Sequence, residues 1–384
     1  MRLCALSMLL ALPAAAQAQT AVSLAKPDAQ FADPFTRIAG IREMANGKLL
    51  VSDIQDKVVQ MIDFAAGNSV KVSREGQGPT EYAIPTSLYG MPKGETWVND
   101  ILGRRFLVID ATGKAVRTVA LPSASGGGGG FVSMSLGGGG ADQTGHIYFQ
   151  SPPFSAAGPG APPPDSLAIT RWDGVRPSMD TVGWMVPAKN NFSGSGSGGR
   201  MTMRIGGAKV FTPAEQWGVA ADGAIARVMH APYRVVWYQP SGGTPTVGPT
   251  QAYTPIAVTD ADKKEIIEQR KRQRPMTIMI GGPAGGRAAA PPNIQLPDPE
   301  FADTKPPFDG NNAVAVSPEG EVWVQRTQPA GVKNPLYDVF DRTGKLVRKV
   351  TLKPRSAVRG FGKGTVYVVR TDDDDLQYIE RYKR

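Results

Sequence analysis

Four consecutive aspartates, Asp372, Asp373, Asp374 and Asp375, are the densest acidic stretch in this sequence. Carboxylates this close repel one another, and a bound cation or water relieves the repulsion. A divalent cation such as calcium is therefore the one cofactor that the residue types suggest. The string lacks the alternating oxygen ligands and central glycine of a calcium loop, so the competing reading is a solvated hairpin loop. A second set, Glu43, Asp53, Asn99 and Asp100, with Asn312 farther along, falls at the ends of expected strands. Oxygen-bearing side chains of these types can ligate a cation. Arg42 and Arg104 stand close to members of this set and could neutralise them instead.

Other chemistries find less support. The only histidines, His146 and His230, sit in different repeats, and each reads as a strand-end residue rather than as half of a two-histidine metal centre. There is no His-Glu-x-x-His pair and no Gly-x-Ser-x-Gly elbow. Cys4 is the only cysteine. It lies at the start of a leader-like segment with an early charge at Arg2, an apolar run from Leu3 to Leu12 and a small-residue end at Ala16-Gln17-Ala18. That run is far short of the roughly 20 residues that cross a bilayer, so residues 1–18 are expected to be a signal peptide and residues 19–384 the exported protein. Cys4 is too far from the cleavage end to become a lipid anchor. The exported part then has no thiol, which excludes disulfides, a cysteine nucleophile and Cys-ligated zinc. A soluble periplasmic or secreted protein with no transmembrane segment is expected.

The elements that must position these residues are hairpins. With 45 glycines, 33 prolines and only 20% charged residues, the composition favours strands and turns. Alternating apolar runs meet at Asn46-Gly47 and again at Gly67-Asn68, at Lys93-Gly94 and Thr112-Gly113, and at Gly223 and Gly242. The paired turns are 20, 19 and 19 residues apart, the size of one four-stranded propeller blade. Further copies begin with FVSMSL at 131–136, and span 311–352 and 356–384. The last copy shows three strands. An N-terminal strand at residues 21–25 is expected to complete it and close the ring, which removes both open edges. The fold class is accordingly all-β, a six-bladed β-propeller over residues 19–384. Trp97, Trp217 and Trp323, with Tyr148 and Tyr367, recur beside the first hairpin turns and read as packing between blades.

The hairpin pairs ADGAIARV, PEGEVWVQ, GKGTVYVV and ANGKLLVS with FLVIDATGKAVRTV and YDVFDRTGKLVRKV resemble the six-bladed propellers of the NHL and TolB-like superfamily. SREGQGPTEYAIPTSL, residues 73–88, resembles the G-x-G-P-x-E-F/Y linker after the first blade in a family of exported bacterial propellers. The resemblance covers residues 36–384 and implies a ring with ligands or partners on one face; it carries no residue roles. Read from its residues, the linker turns at Gly76 and Gly78, steps at Pro79 and uses Glu81 to accept loop amides. Metal-dependent enzymes of the lactonase or gluconolactonase type are also similar to this fold. The resemblance implies a channel metal held by acidic and Asn side chains from several blades, polarising a carbonyl and activating water, for which Glu43, Asp53, Asn99, Asp100 and Asn312 are available. It sets the alternative to a binding or scaffold module. A purely structural surface protein is a third reading.

The net charge of +9 is spread thinly except at Lys263, Lys264, Arg270, Lys271, Arg272 and Arg274. This run falls in an expected helix, DADKKEIIEQRKRQR, capped by Asp260 or Asp262 and ended by Pro275, within a glycine- and proline-rich insertion at 259–310. The run could touch an anionic surface, although Ile266 and Ile267 offer little apolar face for a membrane. Nucleic acid is not expected as a partner of an exported protein. The remaining partner is a protein or small molecule whose identity the residue types do not name.

Overall fold

The computed structural model describes residues 20–121, 139–151, 164–176, 179–187, 191–197, 200–206, 209–272, 299–310 and 312–384, with backbone alone at 191–206. The expected signal peptide, the FVSMSL strand and residues 273–298 of the insertion lie outside the described residues.

The N-terminal segment forms β1 (Thr20–Leu24) and β2 (Ala29–Gln30). The first blade is β3 (Ile38–Glu43), β4 (Leu49–Asp53), β5 (Val58–Asp63) and β6 (Asn68–Lys71). The second is β7 (Pro85–Gly90), β8 (Thr96–Asp100), β9 (Arg105–Ile109) and β10 (Ala115–Ala120). The third is β11 (Gly140–Ala141), β12 (Ile147–Gln150), β13 (Leu167–Trp172) and β14 (Asp180–Met185). A separate hairpin, β15 (Asn191–Ser197) with β16 (Arg200–Gly206), lies between the third and fourth blades in the chain. The fourth blade is β17 (Gln216–Val219), β18 (Ile225–His230), β19 (Tyr233–Tyr238) and β20 (Thr246–Val247). The insertion contributes β21 (Ile256–Ala257), α1 (Asp260–Arg272) and β22 (Thr304–Lys305). The fifth blade is β23 (Val314–Val316), β24 (Val322–Gln325), β25 (Leu336–Phe340) and β26 (Leu346–Leu352), and the sixth is β27 (Ser356–Gly362), β28 (Thr365–Thr371) and β29 (Gln377–Lys383).

Within each blade the strands pair antiparallel in chain order. The first strands, β3, β7, β11, β17, β23 and β27, neighbour one another around a full circle and surround the central channel. The protein is thus an all-β six-bladed propeller. Its turns have a local cause. Asp110 Oδ1 accepts the amides of Thr112 and Lys114, and Asp341 Oδ1 those of Thr343 and Lys345, at 2.8–3.0 Å. The repeated Asp-x-x-Gly is therefore a side-chain-capped turn whose glycine takes positive φ, +90° at Gly113 and +72° at Gly344.

The N-terminal segment closes the ring in two places. Residues 20–24 add a fifth, parallel strand to β26, with Val22 opposite Val350, and the fourth strand of the last blade comes instead from Ala29–Gln30 paired with β29. Burial explains the split. Val22 and Leu24 pack into the core between the fifth and sixth blades, while Phe31 and Phe35 enter the core between the sixth and the first.

Six apolar clusters fill the six gaps between neighbouring blades. Trp97 meets Trp172 at 6.2 Å across the second gap, and Trp323 meets Phe361 at 5.7 Å across the fifth. Each such ring pair adds about 0.5–1.5 kcal/mol beyond its buried area. Tyr148 and Tyr367 hold the same register. Trp217 does not: it lies on the inner strand β17, also buried, and donates to Gln150.

Helix α1 begins at a reciprocal cap. Asp262 Oδ2 accepts the amide and hydroxyl of Thr259, whose hydroxyl in turn accepts the Asp262 amide. Thr259, rather than either aspartate alone, therefore starts the helix. The 73–88 linker is a clip as read: Glu81 accepts from Gly78 and Arg74, and Arg105 donates to the carbonyls of Gly76, Gln77 and Glu81.

Candidate functional site: the channel and its loop-bearing mouth

The two faces of the ring differ. First-to-second and third-to-fourth strand connections are tight turns on one face, such as 44–48 and 341–345. Second-to-third connections and those between blades leave from the other face, which carries the β15–β16 hairpin, α1 and the connection at 326–335. Loops on a rigid scaffold are where binding groups concentrate.

The acidic residues singled out in the sequence do not share one place. Glu43 ends β3 on the tight-turn face and accepts hydrogen bonds from Tyr367 at 2.5 Å, Thr365 at 3.0 Å and the Lys363 amide. It ties the first blade to the last. Asp53 ends β4 on the loop-bearing face and accepts the amides of Thr36, Arg37, Gln55 and Asp56. Asp100 holds the equivalent position in β8, accepts the amides of Ile84 and Gly103, and pairs with Arg105 at 3.1 Å. Both carboxylates knot loops together. Asn99 is buried with its Oδ1 unpartnered, and Asn312 is exposed beside β23.

The aspartate string forms the connection from β28 to β29. Asp372 Oδ1 accepts the amides of Asp374 and Leu376 as a turn cap, and Arg355 approaches Asp375 at 2.8 Å and Asp373 at 3.6 Å. Among the described residues no group of three or more His, Cys, Asp and Glu is placed to hold a metal ion. His146 lies on the tight-turn face against Asp142 at 3.0 Å. His230 lies on the other face with Nδ1 buried and unpartnered, and burial holds its pKa below the ordinary histidine value.

His230 borders a cavity of about 360 Å³ walled by Pro232, Tyr233, Tyr253 and Pro306. A second cavity of about 220 Å³ separates α1 from the 326–335 connection. Between them Lys305, fully enclosed, pairs with Asp262 at 2.5 Å and donates to the Gln328 carbonyl, so that α1 is fastened to the fifth blade. Of the basic run on α1, Lys263 pairs with Asp260, whereas Lys264, Arg270 and Lys271 are exposed.

The inner strands that ring the channel carry small residues at several positions, including Ala39, Gly40, Gly140, Ala141, Ala315 and Ala357, of which Ala141 and Ala315 pack against the cores between blades. Two cations join them. Arg42 hydrogen-bonds the Thr96 hydroxyl, and burial lowers its guanidinium pKa. Arg359 is the extra residue of a β-bulge in β27, where Val358 pairs with Val368 and Gly360 with Tyr367. Its side chain is open to solvent yet walled by protein, and the lost hydration lowers its pKa as well. At the mouth, Asp309 precedes β23, and its carboxyl is pushed up by the same desolvation. Sequence reading passed over Arg359. The available signal was the match between Ile38-Ala39-Gly40-Ile41 and Val358-Arg359-Gly360-Phe361, which bulge alike and differ mainly before the glycine.

No protein-family model matches the chain, and no curated protein does. Solved structures resemble it at low identity. A calcium-binding protein, regucalcin, from Agrobacterium tumefaciens is 13% identical, with 95% of this chain and 98% of that chain covered and a TM-score of 0.40. A gluconolactonase from Xanthomonas campestris is 12% identical over 92% and 88%, with a TM-score of 0.44. A virginiamycin B lyase from Staphylococcus aureus is 13% identical over 91% and 85%, with a TM-score of 0.35. These likenesses reach the fold and no further, and they do not single out NHL or TolB-like propellers.

Proposed function

We propose that the chain is an extracytoplasmic ligand-binding propeller that admits its ligand from the loop-bearing face into the head of the channel. The lining of the channel carries this reading. Among the described residues, the inner strands carry alanine or glycine at several positions, two arginines and one carboxylate, Glu43, which is engaged with Tyr367 at the tight-turn end. Such a lining holds and orients a ligand without offering a general base or a set of metal donors. The leader-like residues 1–18 support the extracytoplasmic placement.

A metal-dependent lactone hydrolase stands as the second reading. The observation in its favour is Asn99, an amide of the expected ligand set whose buried Oδ1 lacks a partner. The deciding experiment is elemental mass spectrometry of the purified protein, with melting before and after chelation and a lactone and ester screen. No chelator effect on melting and no turnover are expected. One tightly held divalent ion per chain, with lactone turnover abolished by Asn99→Ala, would replace the binding reading with the enzymatic one.

A further inference from the structure

The described residues include many arginines in structural roles, and those buried deepest are answered by carboxylates. Arg105 meets Asp100, Arg227 meets Glu215 and Arg326 meets Asp338, each at 3.1 Å or less. Arg359 has no such answer. No hydrogen bond or ion pair of its guanidinium joins it to a described residue. The polar group in electrostatic reach is the Tyr337 phenol, which accepts the Val358 amide at 3.1 Å and donates to Gln325 at 3.0 Å. Burial pushes that phenol up to about 12, so it stays neutral and leaves the positive charge uncompensated.

The backbone aims this charge. A bulge turns one side chain away from the ladder, and bulges recur beside functional sites for that reason. The equivalent bulge in β3 carries Ala39, so the bend itself does not require a cation. A guanidinium is a planar fork of donors matched to two oxygens of a carboxylate or phosphate, and such bidentate pairs strengthen where water is scarce. Arg42, on the neighbouring inner strand, is turned to the Thr96 hydroxyl at the tight-turn end beside Glu43, so Arg359 is the inner-strand cation left open, and the whole chain is cationic at +9.

We infer that the channel binds a small molecule through a carboxylate or phosphate group held by Arg359. The inference rests on the binding-module reading and names the chemistry of its ligand. Arg359 clamps the oxyanion, the small inner-strand residues leave room for the rest of the molecule, and the loop-bearing mouth admits it.

The test is calorimetric titration of the purified protein at pH 7 and fixed ionic strength with sodium phosphate in one arm and sodium citrate in the other. Saturable binding with a dissociation constant of about 1 mM or tighter is expected in at least one arm, and the preferred arm identifies the oxyanion. Arg359→Gln should weaken it at least about tenfold, and Arg359→Lys should fall between, since lysine keeps the charge and loses the fork. Lys264→Gln, which removes an exposed cation of α1, should leave it unchanged. The melting temperature of Arg359→Gln without added anion should equal or exceed that of the parent, whereas loss of a structural tie would lower it. Absence of saturable binding in both arms, or equal affinity in parent and Arg359→Gln, overturns the inference. The metal and turnover measurements judge the module reading separately, so either can fail while the other stands.

Discussion

Arg326 and Arg359 belong to neighbouring blades and live in opposite surroundings. Arg326 donates to Asp338 and to the Pro307 carbonyl, and its guanidinium lies 4.8 Å from the Tyr233 ring and 5.3 Å from the Tyr253 ring. Asp338 Oδ2 also accepts from Tyr233 at 2.9 Å, which extends the network under the insertion, while its Oδ1 is buried without a partner. Arg359 faces the lumen on a bulge with none of this. The contrast separates a charge kept for architecture from one kept open: the enclosed Arg326 needs its carboxylate, whereas Arg359, exposed in the lumen, stands without one.

The sharpest way to break the comparison is to strand Arg326 as Arg359 is stranded. Asp338→Ala should cost about 3–5 kcal/mol in urea unfolding, since it leaves a buried cation without its carboxylate. Next come the glycines that permit the two bulges. A Cβ at Gly40 would sit 2.9 Å from the Thr86 carbonyl and from Ser52 Oγ, whereas one at Gly360 would sit 3.2 Å from Ile41 Cγ2. Gly40→Ala is expected to destabilise by about 1–3 kcal/mol, and Gly360→Ala by less, because a side chain yields more easily than a backbone carbonyl. Equal losses would mean that the bulges are not equivalent. Arg359→Gln should change stability by less than about 0.5 kcal/mol, which ordinary chemical denaturation can bound.

The smallest effect concerns Asp309. Its folded pKa is raised above the ordinary 3.8, so between the two values the folded state holds more protons than the unfolded one. Stability from this group is therefore highest below pH 3.8 and declines as pH rises through the raised folded value. Asp309→Asn should melt slightly higher than the parent near pH 7, and the difference should vanish in acid. A difference that persists unchanged below pH 3.8 would show that the carboxyl is not desolvated in the folded state.

Much of the blade structure was legible because its causes are local. Period-two alternation, Asn46-Gly47 and the Asp-x-x-Gly turns act within a few residues, and the hairpins formed where they said. The 259–272 stretch revealed its helix but not its cap, because Thr259 and Asp262 satisfy each other only once the turn exists. The acidic residues were visible as types, yet their roles were not. Asp53 and Asp100 proved to be loop knots, and Asp372 proved to be a turn cap like Asp110.

By itself, then, the sequence determined the strands, their turns and the six-fold repetition, since each depends on neighbours within one hairpin. Tertiary structure decided where the N-terminal segment pairs, which carboxylate faces which arginine, and which arginine faces none. Those outcomes depend on contacts such as Glu43 with Tyr367, 324 positions apart, that exist only once the ring has closed. The bulge that turns Arg359 toward the lumen belongs to the same class, because whether it opens onto a channel is a property of all six blades together.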